Sequence, residues 1–445
     1  MSNAVLTSGG DRAVSGVGLF VLGGFADRVG LAGELSGALV PRGERAPVHD
    51  RGVLLTHLCL ALAGGGEACS DIEHLRAQPE LFGPVASDST LWRALSGVGD
   101  EELDGLWQAA GAVRERVWPQ TPATGPLVVD IDSTLVEVHS ENKQGAAPHY
   151  KGGYGFHPMV CSTDEGEPLW GMLRSGNAAA NSIADHLHVL DRAISMLPES
   201  DAAGHRAGDP KDLVRRRLLV RIDAAGCSAR IALGCRDRNV GFAVTARATD
   251  GIDAAIAAAR LDHDMWVPAA PNPKHARKPN RTQVAELTEL VDLTEWPEGT
   301  RLIVRREPLH AGARRSLFPS ETFRYWGFLT DAPGSPAHVD TLMRHHAHVE
   351  NSIERLKDSG LARMPFAAWN ANRAWTAMCL ISLALVTWFQ THQLTGALAK
   401  AAPKRLRWQL WHLPGIVCRR ARRTLIRIPT RLPGARALLA AQHPR

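Results

Sequence analysis

The chain has 445 residues, of which 44% are apolar and 22% charged, and its net charge is +5. This is the composition of an ordinary soluble globular protein with room for two or three structural units. Seven scattered cysteines without a C-x-x-C pair exclude a disulfide framework or a cysteine zinc site and fit a reducing cytosol.

The first residues show no basic stretch followed by an apolar one, so no secretory signal is expected. Up to about residue 120 the pattern is helical. An apolar helix over 53–62 stops at Gly64-Gly65-Gly66, and Ser87 or Asp88 can cap a short helix carrying Leu91, Trp92 and Leu95. Residues 100–117 set Leu103, Leu106, Trp107, Ala110, Val113 and Val117 on one helical face. Such a series can form a helix-turn-helix reader or a packing bundle, and its basic residues are too sparse to choose between them.

From Pro126 the pattern becomes strand-like. Residues 127–131 form an apolar, β-branched run, interrupted by Asp130 and ended by Asp132-Ser133-Thr134. Further strands are expected at 155–161, 168–173, 218–222 and 240–245, with helices over 181–197 and 228–238; the strand at 218–222 runs directly into Asp223. The order β-β-β-α-β-α-β is that of an RNase H-like fold. Residues 248–334 break it with a Pro/Lys/Arg-rich loop and strand candidates at 301–306 and 322–330, and read as a β-rich insertion. From Asp340 a long helix carries HHAHVENSIERLK. The apolar run at 375–389 is shorter than the roughly 20 residues a membrane span needs, so a buried core helix is expected.

Charge is concentrated at the end of the chain. From Lys400 onward there are twelve lysines and arginines and no acidic residue, with Trp408 and Trp411 among the first of them. A polyanionic partner follows from simple electrostatics, with tryptophans able to stack on bases or pack under a sugar; the plainer alternative is a solvated tail.

The acids carry the chemistry. Asp132 and Asp223 each end an expected strand, while Glu350 shares a helix face with Glu354 and Lys357 at i, i+4 and i+7. Carboxylates from adjacent strand ends and a nearby helix line a cleft with oxygen, the donor that Mg²⁺ or Mn²⁺ prefers; two such ions about 4 Å apart serve phosphoryl transfer. Taken singly, each acid has an ordinary reading as a turn, cap or solvated residue. Asp130 lies on the same strand face as Asp132 and is either the ligand itself or its support. The HHAH run invites zinc, but His345, His346 and His348 do not share one helical face and no cysteine lies nearby.

The segments VVDIDSTLVEVHSENKQGAAPHYKGGYGFHPMV, LRSGNAAANS, LLVRIDAAGCS and HVENSIERLKDSGLARMPFAAWNANRAW resemble bacterial insertion-sequence transposases of the DDE superfamily. Within it, the resemblance is closest to the group called thirteen-eighty, over roughly residues 45–420. It implies that Asp132, Asp223 and Glu350 are catalytic and hold two Mg²⁺ (or Mn²⁺) ions, with Asp130 and Glu354 supporting them and Lys357 on a DNA phosphate. Related helices carry Tyr seven residues before the Glu and Arg four before it; here these are Met343 and His346. Phosphate contacts would then fall to Arg344, His345, His346 or His348. Trp296 or Trp326 would stack on a base flipped from the cut end, or, in the plainer reading, fill core.

The expected architecture is α/β: an RNase H-like mixed sheet with flanking helices, interrupted by a β-rich insertion, plus an N-terminal helical domain. The expected parts are a DNA-end-binding domain (1–120), the catalytic core (121–247), the insertion (248–334), the final core helices (335–400) and a basic tail (401–445). The expected activity is metal-dependent cleavage at terminal inverted repeats and strand transfer into target DNA, by a cut-and-paste route. The partners would be double-stranded DNA and a second copy of the chain, in the cytoplasm on the nucleoid, with no membrane involved. An RNase H-like nuclease without strand transfer, or a domesticated non-catalytic DNA-binding protein, are the alternatives.

Overall fold

Apolar residues at threes and fours make the helices, and β-branched runs between Gly, Pro and Asp turns make the strands. A computed structural model describes residues 12–39, 48–119, 125–271, 281–309, 323–344, 347–420 and 423–442, without the side chains of 347–350 and 423. Strand β1 (Ala13–Val14) precedes helices α1 (Val17–Arg28), α2 (Leu31–Gly37), α3 (Arg51–Ala63), α4 (Glu73–Arg76), α5 (Pro79–Phe82), α6 (Asp88–Ser96) and α7 (Asp100–Val117). Strands β2 (Leu127–Ser133), β3 (Val136–Glu137), β4 (Ala147–Pro148), β5 (Tyr154–Phe156), β6 (Met159–Thr163) and β7 (Pro168–Met172) follow. Next come α8 (Ile183–Ile194), α9 (Glu199–Ala202), β8 (Leu218–Ile222), α10 (Ala229–Asp237), β9 (Gly241–Thr245), α11 (Asp250–Leu261), β10 (Val267–Pro268), β11 (Gln283–Glu286), β12 (Arg301–Pro308) and β13 (Phe323–Thr330). The last elements are α12 (Pro336–Arg344), α13 (Ala347–Leu356), α14 (Trp369–Gln393), α15 (Pro403–Leu406), β14 (Gly415–Arg420), β15 (Arg423–Arg427) and α16 (Ala435–Gln442). The chain divides into two units, one of residues 1–117, 136–156 and 353–445, the other of 118–135 and 157–352.

The second unit is built on a nine-stranded mixed sheet of order β10-β11-β12-β13-β9-β8-β2-β6-β7. β2, β8 and β9 run parallel to one another, and the remaining pairs are antiparallel. The fold is thus the expected mixed α/β, RNase H-like arrangement. The strands of 248–334 do not stand apart, because β13 pairs with β9 and continues the same sheet. Alternation along β12 and β13 assigns the two faces. Leu302, Val304 and Leu329 pack with Ala255, Ile256 and Ala259 of α11, whereas Ile303 and Phe328 pack with Val339 and Met343 of α12. Helix α11 lies inside the stretch read as β-rich. Its signal was a Thr249 cap, accepting from Ile252 N at 3.3 Å, ahead of an alanine-rich run.

One expected strand is two. In place of 155–161 there are β5 and β6, which join different sheets. Pro158 between them has no N–H for a ladder and instead accepts a hydrogen bond from Thr134 N.

In the other unit, α14 is the central helix and packs against α3 and α7. Ser382 Oγ donates to Cys59 O at 2.8 Å, and the Arg114 guanidinium lies 5.7 Å from the Trp388 ring centroid. The helix is longer than the apolar run because polar residues such as Asn370, Arg373 and Gln393 continue it at both ends. By length and composition it could cross a membrane, but 94% of its apolar window is buried inside the protein. The described residues of the stretch expected as a tail (401–445) fold: β14 pairs with both β1 and β15. Trp411 is fully buried against Phe389, with ring centroids 5.5 Å apart, whereas Trp408 is 75% exposed. The cysteines are all free.

Candidate active site

The parallel pairing of β2 with β8 creates the site. Its register sets Asp130 beside Arg221 and Ile131 beside Ile222, so one step further it brings Asp132 beside Asp223. Neighbouring strands lie about 4.8 Å apart, and both acids are half-buried. Asp132 Oδ1 accepts from Ser133 N at 2.7 Å. Asp223 caps the turn that follows it, its Oδ1 accepting from Ala225 N at 2.9 Å and Gly226 N at 3.4 Å. Oδ2 is therefore the atom Asp223 can present.

Asp130 is held differently. It is 3% exposed, and its two oxygens accept from Arg221 Nε and Nη2 at 2.7 and 2.6 Å. Arg221, 1% exposed, also pairs with Asp164 in the turn after β6 and donates to Leu342 O of α12 at 2.8 Å. Burial works against its charge, but the hydrogen bonds and charges of Asp130 and Asp164 prevail and raise its pKa. One guanidinium thus ties together β2, β8, the β6–β7 turn and the helix preceding α13. Sequence reading missed Arg221; the signal was a charged residue within an apolar strand, two before Asp223 as Asp130 is two before Asp132.

His186, within the helix expected over 181–197, is a second neighbour that the sequence pattern did not single out. It is buried, and its Nδ1–H donates to Ser182 O at 2.7 Å. Burial pushes its pKa down, against the Ser182 carbonyl and the charge of Asp223. The turn after Asp223 reaches this ring because residue 226 is glycine: a Cβ there would sit 2.3 Å from Ile222 Cγ2 and 2.9 Å from His186 Nε2. Arg247 fastens the same turn, donating to Ala224 O at 2.7 Å and also to Ala225 O.

Glu350 lies in α13, two residues before Ser352, but its side chain is outside the described residues. Helix α13 runs against the β6–β7 turn, where a Cβ on Gly166 would lie 3.0 Å from Ser352 Oγ. Among the described residues no three His, Cys, Asp or Glu side chains cluster as a metal site. Asp132 and Asp223 offer carboxylate oxygen, the donor type that suits a hard divalent cation. Glu354 is exposed and Lys357 half-buried, both in the unit of residues 353–445. His345 and His346, and the His348 side chain, lie outside the described residues.

Arg344 is engaged within its own unit. It pairs with fully buried Asp340 at 3.1 Å, and Asp340 also pairs with Arg305 at 2.8 Å. Met343, where the resemblance led to the expectation of a tyrosine, is fully buried against the sheet. Trp326 packs on Phe328, ring centroids 5.5 Å apart. Trp296 is half-buried, tilted against Phe242 at 6.3 Å, and lines a cavity of about 530 Å³ with Arg230, Arg247, Ile252 and Leu293.

No curated protein matches the chain. Over residues 2–443 it matches the family model described as transposase DDE domain group 1, and the chain belongs to that family.

Proposed function

We propose that this transposase binds the terminal inverted repeats of its element as a homodimer, cleaves the DNA strands and joins the freed 3′-hydroxyl to target DNA by a cut-and-paste route. Asp132, Asp223 and Glu350 are the catalytic acids and would hold two Mg²⁺ or Mn²⁺ ions, with the protein acting in the cytoplasm on the nucleoid. The observation that carries this reading is the strand register that brings Asp132 beside Asp223. When bound, the ions would activate a water or 3′-hydroxyl and stabilise the leaving oxygen. The chain's own residues orient the acids. Asp130 and Arg221 fix the strand ends, the Ala225 and Gly226 amides turn Asp223, and Gly166 admits the helix that bears Glu350. Lys357, Arg344 and His346 contact backbone phosphates. Trp296 stacks on a displaced base, a role supported by its cavity and the two arginines that share it.

The test is Mg²⁺-dependent processing of a labelled duplex carrying the inverted repeats that flank the reading frame. Cleavage with a joined product is expected, and substituting Asp132, Asp223 or Glu350 by Ala should abolish both while sparing binding. Cleavage without any joined product would identify a nuclease instead.

A further inference from the structure

We propose that β14 and β15 form a ribbon that lies in a groove of duplex DNA, with Arg420 and Arg427 on the phosphates. The proposal rests on the reading of this chain as a DNA-acting enzyme but not on its metal site. Three observations carry it.

The first is unbalanced charge. Arg419, Arg420 and Arg427 are exposed and make no ion pair among the described residues. Exposed or half-exposed arginines elsewhere in the same unit do find acids: Arg116 pairs with Glu34 at 2.6 Å, and Arg363 with Glu67 at 3.0 Å. No acidic residue occurs anywhere from 400 to 445, so the ribbon's field is not cancelled locally.

The second is the register. It sets Ile416 opposite Arg427, Cys418 opposite Leu425 and Arg420 opposite Arg423, and alternation puts these positions on one face. That face is open, with Ile416 56% and Leu425 40% exposed, whereas Val417 on the other face is 5% exposed. Apolar side chains at the centre with arginines towards both ends match a groove floor between two phosphate rows.

The third is shape. Beyond the short pairing of β1 with Gly415 and Ile416, the sheet is two strands about 4.8 Å apart, which fit a major groove about 12 Å wide, a mode of reading that β-ribbons use. β15 pairs with β14 alone among the described residues, so one long side of the ribbon is open to a partner.

Fluorescence anisotropy of a labelled duplex of arbitrary sequence, titrated with the full chain over a salt series, tests this. The variants are Arg420→Gln with Arg427→Gln, and Arg420→Lys with Arg427→Lys. Each phosphate contact contributes about 0.9 to the slope of log affinity against log salt. The Gln pair should therefore flatten the slope by about 2 and weaken binding roughly sixtyfold at 0.1 M salt. The Lys pair should keep the slope, because a phosphate contact needs the charge and not the guanidinium fork. An unchanged slope and affinity in the Gln pair overturns the proposal, as does a loss that Lys fails to rescue. A change in oligomeric state without a change in DNA affinity also overturns it, making the face a contact between copies. Tighter dependence of anionic-vesicle binding than of duplex binding on the same arginines assigns the surface to lipid and overturns it too. A wild type that binds duplex but leaves a duplex carrying the flanking inverted repeats uncut in Mg²⁺ refutes the transposition reading and leaves the ribbon standing, whereas absence of duplex binding removes both.

Discussion

Asp130 and Asp132 lie two residues apart on one face of one strand, yet exchanging each for its amide should have opposite consequences. Asp130 is buried with both oxygens committed to Arg221, itself 1% exposed. Asp130→Asn turns an amide N–H₂ towards guanidinium donors and leaves Arg221 the half-exposed Asp164 as its carboxylate partner, beside the Leu342 carbonyl. Breaking a buried pair costs about 3–5 kcal/mol, and the surviving Asp164 contact places this change near the lower end. At about 2–4 °C per kcal/mol for a body of roughly 150–250 residues, the transition should fall by about 6–12 °C. Asp132 is half-buried and its Oδ1 accepts from Ser133 N, a bond the amide oxygen of Asn can keep. Asp132→Asn should therefore change stability by no more than about 0.5 kcal/mol while reducing Mg²⁺-dependent cleavage to background. Melting followed by scanning fluorimetry, with cleavage measured well below both transitions, separates the two effects. An Asp130→Asn protein that melts like the wild type and does not cut, beside an Asp132→Asn protein that cuts normally, would refute the reasoning and move the ligand to Asp130.

Gly166→Ala should cost about 1–2 kcal/mol, because the residue sits at φ +84° and a Cβ would lie 3.0 Å from Ser352 Oγ. Cleavage should weaken with it, since Glu350 is two residues from Ser352 on α13; an unaltered melting temperature would show that the turn does not constrain the helix. Met343→Ala should cost about 2–5 kcal/mol in urea unfolding, as the side chain is fully buried with Val339 and Phe328, whereas Met343→Leu should cost less than about 1.5 kcal/mol. Burial holds the pKa of His57 and of His74 below the ordinary 6.5, with the neighbouring His49 and His412 acting in the same direction. The unfolded chain then takes up protons that the folded chain resists, so this stability is complete above pH 6.5 and declines as pH falls towards the folded-state values. Melting temperatures of the wild type and of His57→Gln with His74→Gln, compared from about pH 7.5 to 5.5, should converge on acidification; parallel curves would count against it.

The sequence by itself determined the local elements and the positions of two acids. The span of α7, the Ser87 cap of α6 and the strand running into Asp223 follow from periodicity and capping, which act within a few residues. Pro158 shows the limit of such reading, since an apolar run looks like one strand until the missing N–H sends its halves to different sheets. Tertiary structure alone decided what faces what. Asp130 and Asp132 are indistinguishable by pattern, and only the parallel register of β2 on β8 gives Arg221 to the first and sets the second beside Asp223. Likewise, only packing showed that Met343 is core, that Trp411 is buried while Trp408 is open, and that the basic C-terminal residues form a ribbon. The physical reason is distance along the chain: propensity and period are local, whereas register, burial and ion pairing are set between segments that the sequence keeps far apart.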